Sequence, residues 1–253
     1  MNILITGASS AVGIKLSNLV AEQKDDSWRI ILSSRSSNAD LSELQSTNIK
    51  YVGGIDLLKQ DDIEVLAKES ASFFAGPFNI SHSVGEFLDR VPFTGIKTER
   101  AKNIMDSHYT TLYGLLQHLI PVMIGKGGGR VLAFSCNSVR YNYPHMASFT
   151  AAKAALEALV KSIANEYAMN NIIANALELS SIQSEVDRQS KPHGDFEHYL
   201  PLETIAETVL KILDMSSIVN GAVVNCFSYS HSFFNEGYFS RNRKEVTKKS
   251  EIY

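Results

Sequence analysis

The sequence predicts a single-domain α/β protein with a doubly wound parallel sheet of about seven strands and helices on both faces. Two observations carry this prediction. Buried strand-like runs alternate with amphipathic helical runs along most of the chain. The first strand-like run passes through a turn of small residues directly into a helix. Such a series of βα units requires right-handed crossovers, and its ligands bind beyond the carboxyl ends of the strands.

Composition agrees with one ordinary globular domain. The 253 residues include 44% hydrophobic and 20% charged residues, and no linker-like stretch divides them. We expect one domain over residues 1–229 and a tail over 230–253. The net charge of −3 gives no reason to expect nucleic acid as a partner. No stretch approaches the ~18 consecutive apolar residues of a membrane helix, so no membrane contact is expected either.

The only two cysteines, Cys136 and Cys226, lie in separate apolar strand-like runs. This placement favours reduced thiols. The first residues carry no basic region or cleavage signal of a secretory peptide. We therefore expect a cytoplasmic location.

The first βα unit is the most informative stretch. A strand is predicted at residues 2–5 and a helix at 14–20. The small-residue turn between them would let backbone N–H groups and the positive end of the helix approach a pyrophosphate. Gly7 and Gly13 suit a dinucleotide-binding turn, whereas Ala11 stands where its pattern has a further glycine. A strand-to-helix turn that binds nothing is the alternative that this loop alone leaves open.

The alternation continues to the end of the expected domain. Further strands are predicted at residues 28–33, 49–54, 78–81, 130–135, 172–178 and 222–227. Helices are predicted at residues 41–45, 59–71, 99–125, 146–169 and 201–214.

The order of these landmarks resembles the short-chain dehydrogenase/reductase family over roughly residues 1–229. Residues 6–13 resemble the family's TGxxxGxG loop, and residues 54–57 resemble the segment whose Asp contacts the adenine. Residues 82–85 stand at the family's NNAG turn, and Lys153 falls on the lysine of the YxxxK motif. The resemblance implies a Rossmann-like fold, a nicotinamide cofactor, no metal ion, and oxidoreduction of a carbonyl or hydroxyl group on a small-molecule substrate.

The resemblance also implies cofactor contacts along the chain. The residues concerned are Gly7, Ser9, Ser10, Val12, Gly13, Ser34, Arg35, Asp56, Leu57, Ser83, Gly85, Lys153, Ile182 and Ser184.

The end of the second strand favours NADP(H) over NAD(H). In the family, an acidic residue there binds the 2′-hydroxyl of NAD. The chain instead has Ser34 and Arg35, whose hydroxyl and guanidinium suit a 2′-phosphate. An exposed loop arginine without a ligand is the alternative.

The expected catalytic residues depart from the family. There, a tyrosine is the general acid/base, a lysine one helical turn later lowers its pKa, a serine orients the substrate oxygen, and an asparagine holds a relay water. Only the lysine is present here, as Lys153. Phe149 stands at the tyrosine position, Cys136 at the serine position and His108 at the asparagine position. In a shifted register, Ser135 or Ser138 would supply a hydroxyl.

Three sources can replace the missing proton of Phe149. They are His108, a side chain of the preceding loop (Tyr143 or His145), and a water held by Lys153. The structural alternatives are a core histidine, a loop shaped by its aromatic residues, and a small buried thiol at Cys136.

Two functions therefore remain. The chain is a divergent NADP(H)-dependent oxidoreductase, or it is a catalytically silent NADP(H)-binding protein that acts as a structural or regulatory subunit.

The two long helices predict self-association. Helices 99–125 and 146–169 carry more apolar surface than one sheet face covers, and in the family they form the dimer interface. Ala151, Ala155 and Ala158 would allow close helix approach. We expect a homodimer or homotetramer, or association with a catalytic family member. Residues 183–200 match the family's substrate lid, and the aromatic and basic tail either packs on a neighbouring subunit or is solvated.

Overall fold

The computed structural model contains a seven-stranded sheet in which every neighbouring pair is parallel. It describes residues 1–22, 28–36, 38–86, 90–183, 189, 196, 199–214 and 219–227. The strands are β1 (Asn2–Thr6), β2 (Arg29–Ser34), β3 (Ile49–Gly53), β4 (Asn79–His82), β5 (Gly129–Cys136), β6 (Ile172–Leu179), β7 (Ile182–Gln183), β8 (Leu200–Pro201) and β9 (Val223–Cys226). The sheet order is β3-β2-β1-β4-β5-β6-β9, and β7 pairs with β8 apart from it. The order reverses between β1 and β4, and ligands of doubly wound sheets bind at such a switch point.

Helices cover both faces of this sheet. They are α1 (Ala11–Ala21), α2 (Ala39–Glu43), α3 (Gln60–Phe73), α4 (Thr98–Met105), α5 (Thr111–Gly125), α6 (Ser138–Tyr141), α7 (Ala147–Glu166) and α8 (Leu202–Asp214). The core has two main layers: side chains of α3, α5 and α7 pack on one face, and those of α1 and α8 on the other. The predicted α/β class and parallel sheet are confirmed.

Continuous apolar runs explain why the central strands form. In β1, Ile3, Leu4 and Ile5 are fully buried, and in β5 the run from Val131 to Phe134 is buried as well. A strand covered on both faces needs apolar side chains on both. Polar residues become frequent only where these strands end, and this places chemistry at the carboxyl edge of the sheet.

The predicted single helix over residues 99–125 needs a correction. Helix α4 is followed by one π-helical turn, Asp106–Thr110, before α5 begins. Thr111 Oγ1 donates to the carbonyl oxygen of Ser107 at 2.9 Å within this wider turn. Such π turns are frequent at functional sites. This one carries His108, whose side chain is buried.

In the described part of the chain, no helix has both the length and the apolar character needed to cross a membrane. The same residues include no cluster of three or more His, Cys, Asp or Glu side chains that could bind a metal ion.

Candidate active site

The turn after β1 requires its two glycines. Gly7 has a φ of +73°, and a β-carbon there would lie 2.9 Å from the backbone carbonyl of Ser83. A β-carbon at Gly13 would lie 2.2 Å from the carbonyl oxygen of Gly7. Gly7 therefore permits the left-handed conformation, and Gly13 lets α1 pack closely on the turn.

The start of α1 lies at the carboxyl edge of the sheet. Ser10 caps the helix, because its Oγ accepts from the N–H of Gly13 at 3.0 Å. Ser83 Oγ lies 3.2 Å from Ser10 Oγ and donates to the carbonyl oxygen of Thr6 at 3.1 Å. Ser9 is exposed, and Val12 is buried against the core. The turn is thus tied to the loop after β4, and α1 begins at the carboxyl edge of the sheet, where a helix N-terminus can bind an anion.

The carboxyl end of β2 holds the residues predicted to select the cofactor. Arg35 is exposed, whereas Ser34 is buried. Ser34 Oγ donates to the carbonyl oxygen of Ser36 at 2.7 Å and lies 2.8 Å from the hydroxyl of Tyr51. Its hydroxyl is therefore engaged within the loop, and Arg35 is the group that is presented to solvent.

The segment predicted to contact the adenine is also held by local bonds. Asp56 Oδ1 accepts from the N–H of Leu58 at 3.1 Å, and Asp62 Oδ2 accepts from the N–H of Asp56 at 2.9 Å. Leu57 is buried beside them. Ile55 donates its N–H to the carbonyl oxygen of Ser34 at 3.1 Å, which joins this segment to the end of β2.

Lys153 is buried inside α7 with only 6% of its surface exposed. Its Nζ donates to the carbonyl oxygen of Phe134 in β5 at 2.7 Å and lies 5.7 Å from the ring centroid of Phe149. Burial lowers the pKa of Lys153 to about 8, and the nearby Cys136 and Glu157 side chains oppose that shift. The predicted lysine therefore lies at the carboxyl end of β5 and is unusually easy to deprotonate.

Phe149 contacts both Lys153 and His108. Its ring meets the His108 imidazole edge to face, with centroids 5.2 Å apart. His108 Nε2 lies 2.9 Å from the carbonyl oxygen of Glu86, so this nitrogen carries the hydrogen and donates it. Burial, followed by the charge of Lys153, lowers the pKa of His108 to about 3, although the backbone carbonyls of Glu86 and Val84 oppose this. His108 is therefore neutral at pH 7.

His82, at the end of β4, is a residue that the sequence did not single out as functional. Its Nδ1 lies 2.9 Å from Thr6 Oγ1, and its Nε2 is buried with no hydrogen-bond partner among the described residues. Burial and the charge of Lys153 lower the pKa of His82 to about 3. The sequence feature that could have pointed to His82 is its position in the segment that resembles the NNAG turn.

Cys136 and the loop before α7 surround Phe149 on another side. Cys136 is half-buried, packs with the apolar cluster that contains Phe149, and has its Sγ 3.5 Å from Asn137 Oδ1. Asn137 Nδ2 also donates to the hydroxyl of Tyr143 at 3.2 Å. His145 has a φ of +65°, and its carbonyl oxygen accepts from the N–H of Val91 at 3.0 Å. Tyr143 is thus joined to Cys136 through Asn137, whereas the described bond of His145 involves its backbone.

The two serines that a shifted register would bring forward behave differently. Ser135 Oγ donates to Glu157 Oε1 at 2.5 Å, on the face covered by α7. Ser138 is fully buried, and its Oγ has no partner among the described residues. Ser135 is therefore committed to Glu157, a residue for which the sequence offered no signal beyond its place one turn after Lys153.

Two further cofactor predictions are Ile182 and Ser184. Ile182 is half-buried in β7, where it pairs with Leu200. Ser184 and most of the predicted lid lie outside the described residues, as does the tail over 230–253.

The chain resembles known proteins in sequence and in structure. It is 26% identical to Dehydrogenase RED2 of Cochliobolus heterostrophus over 61% of this chain and 56% of that protein, so it spans little more than half of that relative. It is 21% identical to the 2-dehydro-3-deoxy-L-rhamnonate dehydrogenase (NAD(+)) of Sphingomonas, over 72% of each protein. A solved structure of a tyrosine-to-phenylalanine variant of ElxO with NADPH bound superposes with a TM-score of 0.79 at 18% identity, covering 88% of this chain and 96% of that one. The structural likeness confirms the fold.

A family model settles the classification. The model described as short chain dehydrogenase matches residues 1–194, which is well over half of the chain. The chain therefore belongs to the short-chain dehydrogenase/reductase family of oxidoreductases.

Proposed function

We propose that the protein is an NADP(H)-dependent oxidoreductase that interconverts a carbonyl and a hydroxyl group of a small molecule, at an active site without the usual tyrosine. The observation that carries this proposal is the state of Lys153. It is buried at the carboxyl end of β5, and none of the ion pairs among the described residues includes it. A buried unpaired ammonium is costly and is typical of functional sites.

The residues at the sheet edge fit a dinucleotide. Gly7 and Gly13 have no β-carbon at the two closest approaches in the turn, and α1 begins directly after it, where a helix N-terminus can bind an anion. We assign the pyrophosphate to the turn with Ser9, Ser10 and Val12, following the family pattern. When bound, the cofactor supplies or accepts a hydride.

Beyond the pyrophosphate, the family pattern gives the remaining contacts. Asp56 and Leu57 would hold the adenine, and the loop with Ser83 and Gly85 would line the nicotinamide half. Lys153 has three N–H donors, of which one is used by the carbonyl oxygen of Phe134. Of the other two, one suits a ribose hydroxyl and one remains available.

Arg35 favours NADP(H) within this family. Its guanidinium is exposed at the end of β2, and no acidic residue precedes it there. The side chain's charge contributes to the lowered pKa of Glu86, after the larger effect of the hydrogen bond from Arg100. The positive charge of Arg35 therefore reaches the region beyond the carboxyl ends of β2 and β4. Relatives differ on this point, since ElxO was solved with NADPH and the Sphingomonas enzyme is named for NAD(+).

The chain's own groups shape the reaction site. Phe149, Ile104 and Met146 form an apolar wall beside Cys136, and such a wall strengthens electrostatic interactions within it. The neutral His108 imidazole is held by the carbonyl oxygen of Glu86. It therefore adds a dipole, not a charge, to the space near Phe149.

Phe149 also supports the second function, a silent dinucleotide-binding subunit. Its ring is buried between polar neighbours and has no proton to transfer. Losing one general acid typically costs about 10²–10⁴-fold in rate, so binding can persist when turnover is very low.

Calorimetric titration with NADPH and NADH, followed by NADPH oxidation with a panel of small aldehydes and ketones, tests both functions. We expect tighter binding of NADPH and measurable turnover. Binding without turnover on any carbonyl would favour the silent subunit, and absence of binding to both cofactors would refute the proposal. Lys153→Ala should lower affinity for both cofactors, whereas exposed Lys161→Ala on the same helix should not.

A further inference from the structure

Carbonyl reduction needs a proton at the substrate oxygen, and most groups around Phe149 cannot give one at pH 7. The pKa values of both His82 and His108 are lowered to about 3, so neither is an imidazolium. The remaining N–H of His108 donates to the carbonyl oxygen of Glu86. Tyr143, one of the predicted loop donors, is half-buried and accepts a hydrogen bond from Asn137, so its phenol proton is the alternative source.

Lys153 is the buried group beside Phe149 that does carry transferable protons. Its Nζ is fixed by the 2.7 Å bond to the carbonyl oxygen of Phe134, two residues before Cys136. A second bond joins β5 and α7 close by, because Ser135 donates to Glu157. Ser135 directly follows Phe134 on β5, and Glu157 lies one helical turn after Lys153 on α7. The pair of bonds fixes the register of α7 against β5, and with it the position of the ammonium.

We propose that Lys153 itself is the general acid of carbonyl reduction, and the general base of the reverse reaction, in place of the missing tyrosine. This inference rests on the proposed function and assigns its proton. It differs from a water held by Lys153, because the side chain transfers its own proton to the substrate oxygen.

The step balances as follows. A hydride moves from the reduced nicotinamide to the carbonyl carbon, the C=O π pair moves to oxygen, and that oxygen takes a proton from Lys153 Nζ. Substrate and cofactor leave as alcohol and oxidised nicotinamide. Lys153 is left as a neutral amine, which regains a proton from solvent.

The surrounding groups suit this role. Burial lowers the pKa of Lys153 to about 8, close to physiological pH, where acid and base forms are both accessible. The groups that act on its pKa are Cys136 on β5 and Glu157 on α7, which favour the ammonium. His82 and His108, whose own pKa values the Lys153 charge lowers, face it as neutral imidazoles. Reduction should therefore fall as pH rises through about 8, and alcohol oxidation should rise.

Lys153→Arg is the variant that separates the roles. Arginine keeps the positive charge and the donors for ribose hydroxyls, but it does not lose a proton in proteins. We expect Lys153→Arg to retain NADPH binding and to lose about 10²–10⁴-fold in turnover. Lys161→Arg, on the exposed side of the same helix, is the matched control and should keep wild-type turnover.

A second substitution tests whether Lys153→Arg loses turnover because it lacks a transferable proton or because it distorts the site. Adding Phe149→Tyr to Lys153→Arg supplies a new phenol beside a cation, and it should restore at least tenfold of the lost turnover. Circular dichroism and NADPH titration of each variant report folding and binding. Lys153→Arg turnover within threefold of wild type would overturn the inference and leave the proposed function standing. Failure of the wild type to turn over any carbonyl would refute the proposed function and the inference together.

A direct measurement needs no turnover. In protein labelled with ¹³C at the lysine ε-carbon, the resonance that disappears in Lys153→Arg belongs to Lys153. We expect it to titrate near pH 8 in the unliganded protein. Titration at the ordinary value of 10.5 would overturn the inference.

Discussion

A β-carbon at position 85 would lie 1.9 Å from Nδ1 of His108. Gly85 has a φ of +147°, and the loop that contains it runs over the imidazole carried by the π turn. The carbonyl oxygen of the next residue, Glu86, accepts from His108 Nε2. The loop after β4 and the π turn are therefore fitted to each other, and together they form one side of the space next to Phe149.

Gly85→Ala should destabilise the protein by clash with His108. Gly85 itself is exposed, but the added methyl group would press on the buried His108, and overpacking against a buried side chain typically costs about 1–3 kcal/mol, to which backbone strain adds. Gly54→Ala is the matched control, because Gly54 also has a positive φ of +79° but nothing lies within 4 Å of its would-be β-carbon. Urea unfolding should show the larger loss for Gly85→Ala.

A double variant tests the cause of that loss. Because asparagine is smaller than histidine, adding His108→Asn should recover part of the stability that Gly85→Ala removes. Equal losses for the two glycine variants, or purely additive effects of Gly85→Ala and His108→Asn, would contradict the clash.

The two buried histidines predict a stability that declines on mild acidification. Their folded pKa values are near 3 and the ordinary value is 6.5, so the unfolded chain takes up protons first as pH falls below 6.5. Each histidine should remove about 1.4 kcal/mol of unfolding free energy per pH unit in this window. The effect is absent above pH 6.5.

Urea unfolding at pH 7, 6 and 5 measures this slope. His82→Asn and His108→Asn should each flatten it. Ser70→Ala, which removes a buried hydroxyl, should shift all three values alike. An unchanged slope in both histidine variants would show that they titrate normally.

The sequence was sufficient for the architecture because the signals involved are local. Apolar runs such as Ile3 to Ile5 specify buried parallel strands, and Gly7 and Gly13 mark the turn by residue type alone. The π turn at His108 was not predictable, because a helical pattern over 99–125 does not show where one extra residue enters a turn. The bond between Ser135 and Glu157 joins residues 22 positions apart, and only the packing of α7 on β5 brings them together.

Burial of Lys153 predicts a stability difference that depends on pH. Its folded pKa of about 8 is below the unfolded value of 10.5, so the wild type carries the full cost of the buried charge below pH 8. That cost declines as pH rises from 8 towards 10.5. Lys153→Met lacks this buried charge, so its free energy of unfolding should exceed that of the wild type most at low pH. The difference should shrink by roughly 3 kcal/mol between pH 7.5 and 10.5.

Comparing the two proteins at each pH cancels the titration of all other groups. Lys161→Met provides the control for losing an exposed lysine from α7. A constant difference between Lys153→Met and wild type across this range would mean that Lys153 keeps an ordinary pKa.

Arg35→Ala should reduce NADPH affinity and leave NADH affinity nearly unchanged. A charge-assisted bond to a phosphate is worth about 1.5–3 kcal/mol, so we expect a loss of roughly 10- to 100-fold for NADPH. Arg29→Ala is the matched control, because Arg29 opens the same strand at the opposite edge of the sheet, where Nη1 contacts the carbonyl oxygen of Phe73. If calorimetry showed equal losses of affinity for NADPH and NADH, Arg35 would not be the residue that selects NADP(H).

Self-association is predicted through the outer faces of α5 and α7. Tyr113 on α5 is 46% exposed, and exposed alanines at positions 151, 154 and 158 share one side of α7, whereas Ala155, expected there from the sequence, is half-buried. Small side chains let two helices approach closely, and homo-oligomers usually use one symmetric surface.

Light scattering at micromolar concentration should give at least twice the chain mass of 27.9 kDa. Ala154→Arg should give the monomer mass with an unchanged circular dichroism spectrum, because the larger charged side chain keeps the two helices apart. Met169→Arg, at a site 95% exposed beyond the end of α7, should stay associated. A wild-type monomer, or dissociation by Met169→Arg but not by Ala154→Arg, would place any interface elsewhere on the molecule.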